Sequence, residues 1–247
     1  MRYIGIDLAW KMVPAPGERR SAVVCLDDRA RVIYYDRFRT DEEIIEALDR
    51  LCSVGCVIGV DAPLVVPPDT RGRRQCEGML AQMQIHVMPT DPKRFAQWYG
   101  GCRGVVLAEK LRERDHGYQL VDRLPSSTGK AVVEVYPTGS WKRLFGDVPR
   151  FKGVPADDRR RALLRLKGLL GAGLPPRYPP VSLDVLDRRK VEIDGMSPAD
   201  LDEFGDALDA TVAAYTVMLW DRDGRLCEVV GDLQKGLILM PRSPRAR

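Results

Sequence analysis

Histidine is nearly missing from this chain, with only His86 and His116 among 247 residues. Two histidines are too few for a histidine-rich metal site, and surface or packing roles are the default for both. No cysteine pair has CxxC spacing, and Cys52 and Cys56 lack a partner knuckle, which excludes a zinc knuckle. The six cysteines (25, 52, 56, 76, 102 and 227) are therefore expected to be reduced and largely buried. No apolar run approaches the roughly 18–20 residues that span a membrane. The first strand begins close to Met1 and leaves no room for a signal peptide, so the cytoplasm is the expected compartment. GxSxG, HExxH and GxGxxG motifs are missing too. Ser126-Ser127-Thr128-Gly129-Lys130 fails as a phosphate loop, because Leu124 stands at the first glycine position and Ala131 replaces the hydroxyl residue. A polar turn is the better reading.

Net charge is small as well. A net charge of +4 does not by itself establish nucleic-acid binding. Local basic clusters occur at Arg71-Gly72-Arg73-Arg74, at Arg159-Arg160-Arg161 and from Lys235 to Arg247. Such runs usually solvate a surface, and against an acidic substrate the same arginines contact phosphate. What remains is ordinary for a globular chain, with 45% hydrophobic and 30% charged residues. Residues 1–247 are expected to form one domain around one substantial core. A monomer and a homo-oligomer are both open.

The expected elements alternate in type. Arg2 to Leu8 reads as a strand, and Ser21–Leu26 and Arg31–Phe38 read as an antiparallel hairpin. Thr40-Asp41-Glu42-Glu43 forms a capping box for a helix whose apolar face carries Ile44, Ile45, Leu48 and Leu51. Val57–Asp61 is a fourth strand, stopped by Pro63, and Ala131–Tyr136 a fifth, stopped by Pro137. Residues 62–130 between them read as a helical insertion, with helices near 74–83 and 105–120, forming a lid or a substrate wall. A helix over 157–170 follows. The last long helix opens on Ser197 as N-cap and Pro198 at its first position, with Asp200 near the positive end of the dipole.

Two strand segments end alike, Tyr3-Ile4-Gly5-Ile6-Asp7 and Val57-Ile58-Gly59-Val60-Asp61. Apolar, β-branched runs of this kind read as buried parallel strands, and open α/β sheets bind ligands at the carboxyl edge. Asp206 and Asp209 lie three residues apart on the last helix, beside its apolar face. Clustered carboxylates repel one another unless cations or protons neutralise them, so these acids suggest a divalent-metal site. Glu134 sits inside an apolar strand, where a charge needs a partner or a metal.

This order of strands and acids resembles the ribonuclease H-like fold of RNase H, RuvC resolvases and integrases. The resemblance implies a mixed five-stranded sheet flanked by helices. Asp206-Ala207-Leu208-Asp209-Ala210 is most similar to the resolvase version, with Asp61 standing where resolvases generally have glutamate. A closer resemblance covers nearly the whole chain. Gly5-Ile6-Asp7-Leu8-Ala9-Trp10, Gly59-Val60-Asp61-Ala62-Pro63-Leu64, Arg74-Gln75-Cys76-Glu77, Glu134-Val135-Tyr136-Pro137 and Asp206-Ala207-Leu208-Asp209-Ala210 occur in that order. Together they look like domain-of-unknown-function family 429, a prokaryotic group described as predicted nucleases of this fold.

The expected function is a metal-dependent nuclease acting on DNA or RNA. Asp7, Asp61, Asp206 and Asp209 would bind Mg2+ or Mn2+, with catalysis by Asp7, Asp61, Glu134 and Asp209. Two ions about 4 Å apart would activate water and stabilise the leaving oxygen. Arg71, Arg73 and Arg74 would contact substrate phosphate. Two other readings use the same fold: an ATP-binding phosphotransferase module, which usually needs two copies and glycine-rich loops, and a noncatalytic binding protein.

Overall fold

A computed structural model of the protein describes residues 1–15, 20–53, 55–114, 117–124, 129–174, 177–187 and 192–244. Pro16 and Gly17, His116, the turn residues 126–128, Pro175, Pro176 and the last three residues of the basic tail lie outside the described residues.

The strands are β1 (Arg2–Asp7), β2 (Ser21–Leu26), β3 (Val32–Phe38), β4 (Cys56–Asp61), β5 (Tyr118–Leu120), β6 (Lys130–Glu134), β7 (Cys227–Asp232) and β8 (Gly236–Pro241). The first six form one sheet in the order β3-β2-β1-β4-β6-β5. β3, β2 and β1 pair antiparallel, as the short turn between the expected hairpin strands requires. β1, β4, β6 and β5 pair parallel. The sheet thus has six strands, not five. The extra one, β5, occupies residues expected to be helical, because the helix there ends at Arg112 and three residues then pair with the start of β6.

The helices are α1 (Asp41–Leu51), α2 (Gln75–Gln82), α3 (Pro92–Tyr99), α4 (Arg103–Arg112), α5 (Pro137–Phe145), α6 (Ala156–Ala172), α7 (Asp184–Asp187) and α8 (Pro198–Arg222). Thr40 and Glu43 form the expected capping box on α1, and Ser197 and Asp200 form another on α8. α3 went unanticipated although its signals are orthodox. Asp91 accepts hydrogen bonds from the amides of Lys93 and Arg94, Pro92 takes the first position, and Gly100 closes the helix in the left-handed region. The β7–β8 hairpin, whose second strand takes up residues 236–241 of the basic tail, packs Val230, Ile238 and Met240 against Cys76 and Leu80 of α2.

Alternation along the strands divides the core between two faces. Ile4, Ile6, Ile58 and Val132 pack with Ile44 and Leu48 of α1 and Leu107 of α4. Tyr3, Val57, Ala131 and Val133 face α8, which is itself covered by residues of α5 and α6. α8 was read as amphipathic, yet every residue from Phe204 to Trp220 is buried. Its approach to the sheet is close enough to exclude side chains. A Cβ on Gly5 would lie 1.8 Å from the Ala210 carbonyl oxygen, and one on Gly59 would lie 2.9 Å from that of Ala213. Gly5 and Gly59 are register partners on β1 and β4, so together they open one groove for the helix backbone.

One further expectation needs correction. Cys52 and Cys56 are joined in a disulfide, because the tight turn from α1 into β4 brings their Cα atoms to 5.3 Å. The remaining four cysteines are free, as expected. Among the described residues no helix is long and apolar enough to cross a membrane.

The groove yields a stability prediction. Gly5→Ala should lose at least about 3 kcal/mol, because backbone and not a flexible side chain stands in the way. Gly168→Ala in α6, where a Cβ meets nothing within 4 Å, should be neutral or gain up to about 1 kcal/mol. Urea unfolding of both variants measures the contrast, and a Gly5→Ala protein as stable as the wild type would contradict the close approach.

Candidate metal and substrate site

Asp7 and Asp61 are themselves register partners at the carboxyl ends of adjacent parallel strands. They lie two residues beyond Gly5 and Gly59, so their side chains leave the sheet on the α8 face. Both line a cavity of about 540 Å3 at this edge. Asp209 reaches the same place from α8. Its Oδ1 accepts a hydrogen bond from Trp141 Nε1 at 3.0 Å, and its Oδ2 pairs with Lys152 Nζ at 2.5 Å. The Lys152 ammonium also lies 4.0 Å from Asp7 Oδ2. Two carboxylates, one from a strand and one from a helix, therefore contact one ammonium, and Asp61 acts on it from farther away.

The charges respond accordingly. Burial, and then repulsion from Asp7, holds the Asp61 carboxyl well above its ordinary range. Burial raises Asp209 too, against the pull of Lys152. Burial works against the charge of Lys152, but Asp209, Asp7 and Asp61 outweigh it and hold the ammonium pKa above its usual value. Asp61 has no hydrogen-bond or ion-pair partner among the described residues. With three acids and one ammonium ionised, the local balance is two negative charges.

Asp206 lies one turn away. It lines the cavity and pairs with Arg37 Nη2 at 3.4 Å, while Arg37 also pairs with Glu203. Asp202, the third acid on that side of α8, pairs with Arg159 at 2.5 Å. The acids of α8 thus divide among three different cations.

Glu134 and Arg74 line the same cavity as Asp7 and Asp61, and there they are paired with each other. Glu134 is largely buried in β6, which β5 flanks, so it lies on no open sheet edge and meets only the cavity. Arg74 grips it through two contacts, Nη1–Oε2 at 2.8 Å and Nη2–Oε1 at 2.5 Å, and Glu134 also accepts the Leu64 amide at 3.0 Å. The same guanidinium binds Glu77 at 2.8 Å, and Glu77 takes the Thr90 amide. A planar fork suits this bidentate pairing, and losing either partner would strand a buried charge. This network ties the segment after β4 to β6. Arg74 is therefore already engaged by Glu134 and Glu77 where it lines the cavity. Arg71 and Arg73, by contrast, are exposed.

Much of the cavity wall comes from residues 62–130, including Ala62, Pro63, Met88, Phe95 and Tyr99. The loop after β1 supplies another part through Trp10. Sequence reasoning missed Lys152, Arg37 and Trp141. Lys152 sits in an irregular stretch before α6, and no spacing or cap there marks it.

Among the described residues no group of three or more His, Cys, Asp or Glu side chains is already spaced to hold a metal ion. The donor chemistry still suits a hard cation. Asp7 and Asp61 offer carboxylate oxygens side by side into the cavity, and the cluster is short of positive charge. Asp209 is engaged by Lys152 and Trp141.

A family model described as "Protein of unknown function (DUF429)" matches residues 5–234. The chain belongs to that family. Comparison with curated proteins and with solved structures found no match.

The raised Asp61 carboxyl makes stability depend on pH. The folded state binds its proton more tightly than the unfolded chain does, so stability falls as pH climbs from the ordinary 3.8 through the raised value. In chelator, Asp61→Asn should lack this loss and melt higher than the wild type at pH 7. Thermal unfolding between pH 5 and 8 tests this, and a lower melting temperature for Asp61→Asn at pH 7 would show that the carboxylate is stabilising.

Proposed function

We propose that this DUF429 protein is a divalent-metal-dependent nuclease with a ribonuclease H-like fold. The observation that carries the proposal is the side-by-side pairing of Asp7 and Asp61 at the carboxyl edge, with Asp209 brought to them from α8. The sheet order supports the fold assignment. Three antiparallel strands lead into parallel ones, with acids at the ends of the first and fourth and on the last long helix.

Asp7 and Asp61 would hold Mg2+ or Mn2+, with Asp209 joining them when Lys152 withdraws. When bound, such an ion activates water and neutralises charge on a phosphodiester. Lys152 already supplies one positive charge to the cluster. One divalent ion would balance the two negative charges left when all three acids are ionised beside Lys152. Lys152 can also donate hydrogen bonds to a phosphate oxygen from its place between Asp7 and Asp209. Arg71 and Arg73 provide outlying phosphate contacts. Glu134 acts through Arg74, by fixing the residue 62–130 segment as a wall over the acids. Nucleic acid is the partner, met in the cytoplasm.

The test is a cleavage screen over DNA and RNA substrates of different structure, with ATP turnover measured in parallel. The expected result is cleavage that requires Mg2+ or Mn2+ and stops with chelator. Asp7→Asn should reduce it by about a hundredfold or more while the circular dichroism spectrum stays unchanged. Full cleavage by folded Asp7→Asn, or ATP turnover without cleavage, would overturn the proposal.

A further inference from the structure

Four aromatic residues, Trp10, Phe95, Tyr99 and Tyr136, line the cavity, and the nuclease chemistry uses none of them. Trp10 stacks on Phe95 with ring centroids 5.4 Å apart and planes 25° from parallel. Tyr99 stands edge-on to both, at 5.2 Å from Trp10 and 5.4 Å from Phe95. All three line the cavity that holds Asp7 and Asp61. Phe95 is buried, as a packing residue should be, while Trp10 and Tyr99 are only partly covered. Large rings normally gain by complete burial, so these two leave contact area open beside the acids.

The loop carrying Trp10 is pinned on both sides. The Ala9 amide donates to Ser21 Oγ at 3.1 Å, and the Ala9 carbonyl accepts from Arg103 Nη1 at 3.0 Å. Arg103 is buried and paired with Asp41 at 2.7 Å. Beyond Trp10, the Met12 amide donates to the Tyr99 carbonyl at 2.9 Å. The ring is therefore fixed in place before any ligand arrives, which lowers the entropy lost on binding.

We propose that Trp10, backed by Phe95 and Tyr99, is a stacking subsite for one unstacked base of single-stranded nucleic acid, with that nucleotide's phosphate over Asp7 and Asp61. The phosphate end of this assignment rests on the nuclease reading, and the base end rests on the aromatic wall alone. Trp10 follows Asp7 by only three residues, so ring and carboxylate share one short segment. A cavity of about 540 Å3 is in the range that encloses a small ligand, and it suits one nucleotide but not a base pair with its neighbours. Lys11 and Arg20 also line it and bring positive charge toward a backbone. Every base offers a flat face to an indole, so the subsite selects an unpaired base without selecting a sequence.

The experiment measures equilibrium binding of a six-nucleotide single strand, the same strand with one abasic position, and a duplex of equal length. Chelator is present throughout, so no turnover interferes, and the intact and abasic strands meet the acids with the same phosphates, so their difference reads the base alone. Wild-type protein should bind the intact strand about tenfold or more tighter than the abasic strand, and tighter than the duplex. Trp10→Phe should keep most of that preference. Trp10→Ala should lose it while binding the abasic strand as the wild type does. Equal binding of intact and abasic strands by wild-type protein overturns the subsite, and so does a preference that survives in folded Trp10→Ala. The wild-type comparison decides the matter even if Trp10→Ala does not fold. A base preference without metal-dependent cleavage on any substrate would leave the subsite standing and remove the nuclease reading. Cleavage with no base preference would do the reverse.

Discussion

The backbone of α8 lies directly on β1 and β4, over two glycines that face each other in register. Small residues on the helix, Ala210, Ala213 and Ala214, meet that groove, and Tyr3 Oη bonds Asp221 at the other end at 2.7 Å. The helix is thereby fixed along its length and runs against the direction of β1. Asp7 and Asp61 emerge two residues beyond the glycines, on the same face. Asp209 lies one residue before Ala210, the residue nearest Gly5, so the contact that seats the helix also delivers its carboxylate. The acids meet because the packing brings them together, and a larger residue at either glycine would push α8 away from all of them.

Such a meeting is electrostatically unfavourable, and the surrounding residues show how the cluster is tolerated. Lys152 places its ammonium between Asp7 and Asp209, while Arg37 takes Asp206 and Arg159 takes Asp202. Asp61 is left with burial and a neighbouring carboxylate, and its raised pKa is the consequence. At the adjoining wall, Arg74 satisfies Glu134 and Glu77 at once and holds the segment after β4 in position. One edge of the sheet thus carries a saturated ion network beside an unsaturated one. Both networks line the cavity, and among the described residues the unsaturated one brings to it Asp61, a carboxylate with no hydrogen-bond or ion-pair partner.

Much of this was legible in the residues. The strand-end aspartates could be read from two similar apolar runs, and the caps of α1 and α8 from their side-chain chemistry. The face of α8 that carries Asp209 followed from helical spacing. Its burial on every side did not, because periodicity reports an apolar stripe and cannot report a second layer of helices covering the back. Glu134 was singled out for the right reason, a charge inside a strand. Its partner lay 60 residues away in a basic run that looked like surface. Lys152 was invisible, since a lysine in an irregular loop carries no pattern and its importance arises only from where the loop comes to rest. α3 was readable from Asp91-Pro92 and Gly100 and was overlooked. The Cys52–Cys56 bridge depends on a turn geometry that cysteine spacing does not specify.

The central claim is that Asp7 and Asp61 bind a divalent cation at the carboxyl edge of the sheet. Crystals grown with Mn2+ and measured by anomalous diffraction test it most directly, because manganese is located without reference to activity. The account predicts an anomalous peak within coordination distance of carboxylate oxygens from both Asp7 and Asp61, missing from crystals of Asp7→Asn. Well-ordered wild-type crystals with no peak between these two carboxylates, or with Mn2+ held only elsewhere, would contradict it.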